Sequence, residues 1–141
     1  MDLMAAPSSC SSPATILLVD DEPLVRQVLA RMLEESGFTV VQAENGRHAL
    51  QVSEQVGPTV NMVVTDIHMP LMTGFEFARV FRARYPNVPF LFITGGEGYA
   101  PVALPPDVPG DLLWKPFGPE SLLLKVDRLL SDDRHFHSQS A

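Results

Sequence analysis

Polar groups suited to phosphoryl chemistry stand directly after apolar runs in this sequence: Asp20 and Asp21 after TILLV, Asp66 after VNMVVT, Thr94 after FLFI and Lys115 after LLW. Three carboxylates held together stay ionised only if a cation neutralises them. Oxygen ligands favour a hard ion, Mg²⁺ or Mn²⁺. A lysine and a hydroxyl opposite that ion would hold phosphoryl oxygens. Because a carboxylate is anionic at neutral pH, it can attack phosphorus without a general base.

Five apolar runs alternate with amphipathic stretches and predict the elements that carry these groups. The predicted strands are Thr15–Val19, Phe38–Val41, Val60–Thr65, Phe90–Ile93 and Leu112–Trp114. Apolar residues at helical spacing predict helices over 23–36, 46–56, 74–85 and 119–130. The alternation predicts βαβ units, and therefore a doubly wound α/β domain with a parallel sheet. In such a sheet the carboxyl ends of the strands meet at one edge, so the polar groups should converge there.

The segment between the fourth and fifth strands departs from this pattern. Residues 95–110 contain four prolines and four glycines. Proline in a helix interior costs about 3 kcal/mol. We therefore predict an irregular or shortened fourth helix, at most one turn long.

Length and composition predict one globular domain. The chain has 141 residues, of which 45% are hydrophobic and 19% charged. Residues 1–14 are Ala/Ser/Pro-rich and are predicted to be a disordered segment or linker. The domain is predicted to occupy residues 15–130. The polar residues 131–141 are predicted to form a flexible tail.

Charge and cysteine content narrow the possible partners and the compartment. The net charge of −7 argues against direct nucleic-acid binding, because an acidic chain gains nothing from counterion release. No apolar run is long enough to span a bilayer, so no membrane partner is predicted. With a single cysteine, Cys10, and no secretory signal, the chain is predicted to be cytoplasmic.

Four motifs in order give the chain a family resemblance. LLVDDEP (17–23), DIHMPLMTG (66–74), FITG (92–95) and WKPF (114–117) strongly resemble the receiver domain of bacterial two-component response regulators. The resemblance covers nearly everything from Thr15 to Leu130. It implies a flavodoxin-like, doubly wound sheet of five parallel strands in the order 2-1-3-4-5.

The resemblance also implies a role for each acidic residue. Asp66 would be the phosphoacceptor. Asp21 would bind Mg²⁺ (or Mn²⁺) directly, and Asp20 would act mostly through a coordinated water. Asp66 and the backbone carbonyl of His68 would complete the protein ligands.

On the other side of the site, Thr94 would be the switch hydroxyl and Lys115 the cation that pairs with the phosphoryl group. The Lys115–Pro116 peptide would be cis. One position departs from the family: three residues before the lysine, where Tyr or Phe is usual, stands Leu112. An aromatic rotamer switch is therefore not predicted for this chain. Trp114 is expected in the core, beside the site, as a fluorescence reporter.

The implied function is that of a signalling phosphoacceptor rather than an enzyme. Its donor would be a histidine kinase or a phosphotransfer protein, although self-phosphorylation from small donors and autodephosphorylation are expected. The output partner is unknown and a homodimer is possible. The chain would be either a free-standing regulator or a receiver from a hybrid kinase or longer regulator.

Three other interpretations of the acidic residues stay open at this point. Asp20 and Asp21 alone would suit the capping of the first helix. A Mg²⁺-dependent phosphohydrolase of the haloacid dehalogenase type would need two aspartates two residues apart after the first strand, where this chain has Asp20 and Glu22. A degenerate interaction module that is never phosphorylated is the third alternative.

Overall fold

The computed structural model describes residues 13–95 and 103–140, so most of the predicted disordered segment lies outside the described residues. Its five strands form one parallel sheet in the order β2-β1-β3-β4-β5, which confirms the predicted topology. The strands are β1 (Thr15–Val19), β2 (Thr39–Ala43), β3 (Met62–Asp66), β4 (Phe90–Thr94) and β5 (Asp111–Trp114).

Four helices cover the sheet within the described residues: α1 (Pro23–Glu35), α2 (Gly46–Val56), α3 (Gly74–Arg84) and α4 (Pro119–Ser140). The helix starts follow local sequence signals. Asn45 caps α2 by accepting a hydrogen bond from the His48 N–H. Thr73 and Glu76 form a capping box on α3, in which each side chain accepts from the other residue's N–H.

Both faces of the sheet are buried, because successive residues of a strand point to opposite sides. In β1, Leu17 and Val19 pack with Phe77 and Phe81 on the side of α2 and α3. Ile16 and Leu18 pack with residues of α1 and α4, among them Leu29, Leu33, Leu122 and Val126. Burial on both faces explains why the strands read as continuous apolar runs.

The connection between β4 and β5 is irregular, as predicted, in the part that the structure describes. Residues 103–110 contain a turn but no helix. Val108 is 1% exposed and belongs to the core cluster on the α3 side. Asp107 accepts two hydrogen bonds from Arg79 of α3, at 2.7 and 3.3 Å. One buried valine and one ion pair therefore attach this segment to α3.

Two expectations from the sequence are wrong. The last helix continues to Ser140 instead of ending near Leu130, because no glycine or proline interrupts residues 131–140. The flexibility of residues 131–141 stays a prediction. Trp114 is 44% exposed and not in the core, because β5 lies at the edge of the sheet and its residues alternate between faces, with Leu113 turned inward.

Candidate metal and phosphoacceptor site

Three carboxylates meet at the carboxyl edge of the sheet. Asp20 follows β1 directly and Asp66 ends β3, and these two strands are hydrogen-bonded neighbours. One carboxylate oxygen each from Asp20, Asp21 and Asp66 lies within 4.8 Å of the others. A cluster of this size suits one small cation with oxygen ligands.

Asp20 carries an unsatisfied buried oxygen. The residue is 1% exposed; its Oδ1 accepts a hydrogen bond from the Glu22 N–H at 2.9 Å, but its Oδ2 has no hydrogen-bond partner among the described residues. Burial raises the pKa of the Asp20 carboxyl, and the Glu22 N–H and Lys115 only partly oppose this. A buried unpaired carboxylate oxygen is costly, and coordination to a cation would satisfy it. The residues present therefore fit a divalent ion.

Asp66 is similarly buried, at 6% exposed. Burial raises its pKa to about 6; Lys115 lowers the pKa and the charge of Asp20 raises it. The Lys115 Nζ lies 3.8 Å from Asp66 Oδ2, and the His68 N–H lies 3.4 Å from Oδ1. One lysine thus faces three acids, and the site has an excess of negative charge that a divalent cation would offset.

Thr94 and Lys115 lie at the ends of the neighbouring strands β4 and β5. Thr94 is fully buried, and its backbone carbonyl accepts a hydrogen bond from the Lys115 N–H at 2.8 Å. The Lys115–Pro116 peptide is cis, as the resemblance implies. The structure therefore brings Lys115 to Asp66 and joins Thr94 to Lys115 through the backbone. The switching role of the Thr94 hydroxyl and the ligand role of the His68 carbonyl remain predictions.

The loop after Asp66 is held tightly against the start of α3. The Gly74 N–H donates to the Ile67 carbonyl at 2.8 Å, and the Ile67 N–H donates to the Ile93 carbonyl of β4 at 3.0 Å. A Cβ at position 74 would collide with the backbone carbonyl oxygen of Asp66. Only glycine allows the helix to begin this close to the predicted phosphoacceptor.

Arg26, which was not predicted from the sequence, contacts the site from α1. Its Nη1 donates to the backbone carbonyl of Asp20 at 2.8 Å, and its Nε donates to Gln42 Oε1 at 3.2 Å. An arginine one turn into the helix that follows an acidic pair was the available signal. The capping interpretation of the pair is not supported, because the N-cap residue of α1 is Glu22, whose side chain makes no capping hydrogen bond.

The strand order and the acidic edge together define a doubly wound α/β domain with a candidate cation site at the carboxyl ends of its strands. The family model of the response regulator receiver domain matches residues 16–127. The chain therefore belongs to the response regulator receiver family.

Relatives with curated descriptions include two from Brucella abortus. The chain is 38% identical over 124 residues to the sensor kinase CckA, covering 85% of this chain and 13% of the kinase. It is 35% identical over 119 residues to the response regulator receiver protein CpdR, covering 82% of this chain and 95% of CpdR. The chain spans 53% and 51% of two longer regulators that it also matches.

Solved structures show the same fold. A response regulator receiver protein from Sinorhizobium medicae superimposes with a TM-score of 0.74 at 32% identity, over 86% of this chain and 97% of that one.

Among the described residues, no helix has both the length and the apolar character needed to cross a bilayer.

Proposed function

We propose that this receiver domain takes a phosphoryl group from a phosphohistidine of a kinase or phosphotransfer protein onto Asp66, in a Mg²⁺-dependent reaction in the cytoplasm. The observation that carries the proposal is the convergence of Asp20, Asp21 and Asp66 within 4.8 Å, with the Lys115 ammonium 3.8 Å from Asp66. This proximity supports the assignment of Asp66 as the nucleophile, of the three aspartates as cation-binding residues and of Lys115 as the phosphate-pairing amine.

In the transfer, a carboxylate oxygen of Asp66 forms a bond to phosphorus while the bond from phosphorus to the donor's imidazole nitrogen breaks. The electron pair of that bond stays on the imidazole. No proton has to leave Asp66, because the ionised carboxylate is the nucleophile. A bound Mg²⁺ would supply the positive charge that three acids and the phosphoryl oxygens require.

The remaining roles, which are cation binding, pairing with the phosphoryl group and switching, would be filled by residues of this chain. Asp21, Asp66 and the His68 carbonyl would hold the ion, and Asp20 would act through a coordinated water. Lys115, whose side chain is 32% exposed, can follow the phosphoryl oxygens as a mobile point charge. The Thr94 hydroxyl would donate a hydrogen bond to the acyl phosphate and so convert phosphorylation into a change at the β4–β5 edge. Because position 112 is leucine, this change would not require an aromatic rotamer.

An apolar groove offers the donor protein a place to dock. It has a volume of about 390 Å³ and lies between α1 and the segment after β5. Leu24 and Val28 line it and are 77% and 53% exposed. Lys115 also lines the groove and contacts Asp66, so a protein seated there would be directly beside the phosphoacceptor. The exposed apolar side chains of α1, Leu24 and Val28, would thus form a docking surface for the protein donor.

Intact-protein mass spectrometry after incubation with acetyl phosphate and MgCl₂ tests the proposal. We expect a mass gain of one phosphoryl group in the wild type and none in Asp66→Asn. Asp107→Asn is the matched control, because this carboxylate is exposed and paired with Arg79; it should gain the group normally. No gain in the wild type would favour the degenerate module. Continuous release of phosphate from small phosphomonoesters would favour the phosphohydrolase.

A further inference from the structure

Arg26 holds the peptide group that joins the two predicted metal-binding aspartates. The carbonyl that its Nη1 contacts at 2.8 Å belongs to Asp20, and this carbonyl lies in the plane of the Asp20–Asp21 peptide. The Asp20 N–H donates to the Ala43 carbonyl of β2 at 3.1 Å. Both backbone polar groups of Asp20 are therefore fixed, one by the sheet and one by Arg26.

The contact lies just past the end of β1, where the sheet holds the Asp20 N–H and Arg26 holds the Asp20 carbonyl. β1 ends at Val19, so Asp20 is beyond the last strand residue, and it is 1% exposed. A buried carbonyl without a partner costs about 1–3 kcal/mol, so the peptide would otherwise tend to rotate toward another donor. Rotation of this plane would change ψ of Asp20 and φ of Asp21, the two torsions that set how the Asp20 and Asp21 side chains are oriented relative to each other.

The guanidinium is itself held in place. Its Nε donates to Gln42 Oε1 on β2 at 3.2 Å, and the Arg26 N–H donates to the Glu22 carbonyl within the first turn of α1. Arginine suits this position because its planar fork offers several donors in fixed directions, whereas lysine has one flexible ammonium.

From these contacts we infer that Arg26 is a positioning residue for the divalent cation: by holding the Asp20–Asp21 peptide, it sets the geometry of the two carboxylates and hence the affinity for Mg²⁺. The inference rests on the proposed function, since it assigns Arg26 to the same site. Partners that orient metal ligands from outside the coordination shell typically change metal affinity by 10–100-fold when removed.

Titration calorimetry with MgCl₂ tests the inference on the full chain. Arg26→Met keeps most of the apolar stem but removes the donors, and we expect the Kd for Mg²⁺ to rise about tenfold. Arg31→Met is the control on the same helix, because Arg31 is exposed and pairs only with Glu35 among the described residues; its Kd should match the wild type. Gln42→Ala removes the Nε contact but leaves the Asp20 contact, so its Kd should stay within about twofold.

Urea unfolding in EDTA separates positioning from general stability. If Arg26 contributes only to stability, Arg26→Met will lower the free energy of unfolding without changing the Kd of the folded protein for Mg²⁺. This result would overturn the inference. Gln42→Ala weakening Mg²⁺ binding as much as Arg26→Met would also overturn it, because the link to β2 would then be responsible. If Arg26→Met does not fold, Arg26→Lys is measured instead. We expect its Kd for Mg²⁺ to rise at least threefold, and an unchanged Kd would contradict the inference.

The result for the wild type distinguishes this inference from the proposed function. Failure of the wild type to bind Mg²⁺ would refute both. Mg²⁺ binding by the wild type and by Arg26→Met with equal affinity would refute only the role of Arg26.

Discussion

Replacing Asp66 by asparagine should stabilise the protein when no divalent cation is present. Burial raises the pKa of Asp66 to about 6 from an ordinary value of 3.8, so keeping this carboxylate ionised in the folded state costs about 3 kcal/mol at pH 8. Asparagine has nearly the same shape and no charge. We therefore expect Asp66→Asn to raise the free energy of unfolding by about 3 kcal/mol, which corresponds to roughly 10 °C in Tm.

The pH dependence of this gain has a definite sign. Because the folded pKa is above the unfolded one, the cost in the wild type is nearly complete above pH 6 and shrinks as the pH falls from 6 to 3.8. It disappears only well below pH 3.8, where Asp66 is protonated in both states. The difference between variant and wild type should therefore be largest at pH 8 and fall to about 0.6 kcal/mol at pH 4.

Urea denaturation followed by circular dichroism, with EDTA at pH 8 and pH 4, measures the effect. Asp107→Asn serves as the control and should give no stabilisation, because that carboxylate is exposed and has Arg79 beside it. Saturating MgCl₂ should stabilise the wild type more than Asp66→Asn and so reduce their difference, since a ligand stabilises the state that binds it. An Asp66→Asn variant no more stable than the wild type in EDTA at pH 8 would refute the electrostatic reasoning.

Three further outcomes are expected. Leu24→Glu should slow phosphotransfer from a protein donor at least tenfold in a radiolabel transfer assay but leave the rate with acetyl phosphate unchanged, because only the protein needs the apolar groove; equal slowing of both would contradict this. Gly74→Ala should lower the free energy of unfolding by about 3 kcal/mol in urea, because its Cβ meets the Asp66 carbonyl. Val108→Ala should cost about 2 kcal/mol in the same assay, because Val108 is 1% exposed in the core; a loss below 0.5 kcal/mol would mean that the β4–β5 segment is not anchored there.

The sequence predicted the parallel sheet and the convergence of the site residues because both follow from local patterns, whereas the strand order was implied by the family resemblance. Apolar runs that end in polar residues mark the carboxyl ends of parallel strands, and these ends meet at one edge. The approach of Asp20, Asp21, Asp66 and Lys115 therefore needed no information about side-chain packing. The prolines and glycines of residues 95–110 predicted, in the same way, the irregular backbone that the structure describes over residues 103–110, since their backbone restrictions are local.

The two errors and the omission have different physical causes. The exposure of Trp114 depends on β5 being an edge strand, which hydrophobicity alone does not reveal. The length of α4 reflects the lack of a stop signal after Leu130, where polarity had suggested disorder. Arg26 was missed because its partner is a backbone carbonyl. Every residue has such a carbonyl, so the residue types do not show which one a side chain contacts.

The contact between Gly74 and Asp66 limits the direction in which a signal can leave the site. The backbone carbonyl of Asp66 lies against the first residue of α3, and the next residue, Ile67, is hydrogen-bonded to both α3 and β4. The segment after Asp66 cannot move away from the site without disrupting the start of α3. The partly exposed lysine on the opposite wall has room to move, so phosphorylation should displace the β5 side and leave α3 as a fixed support.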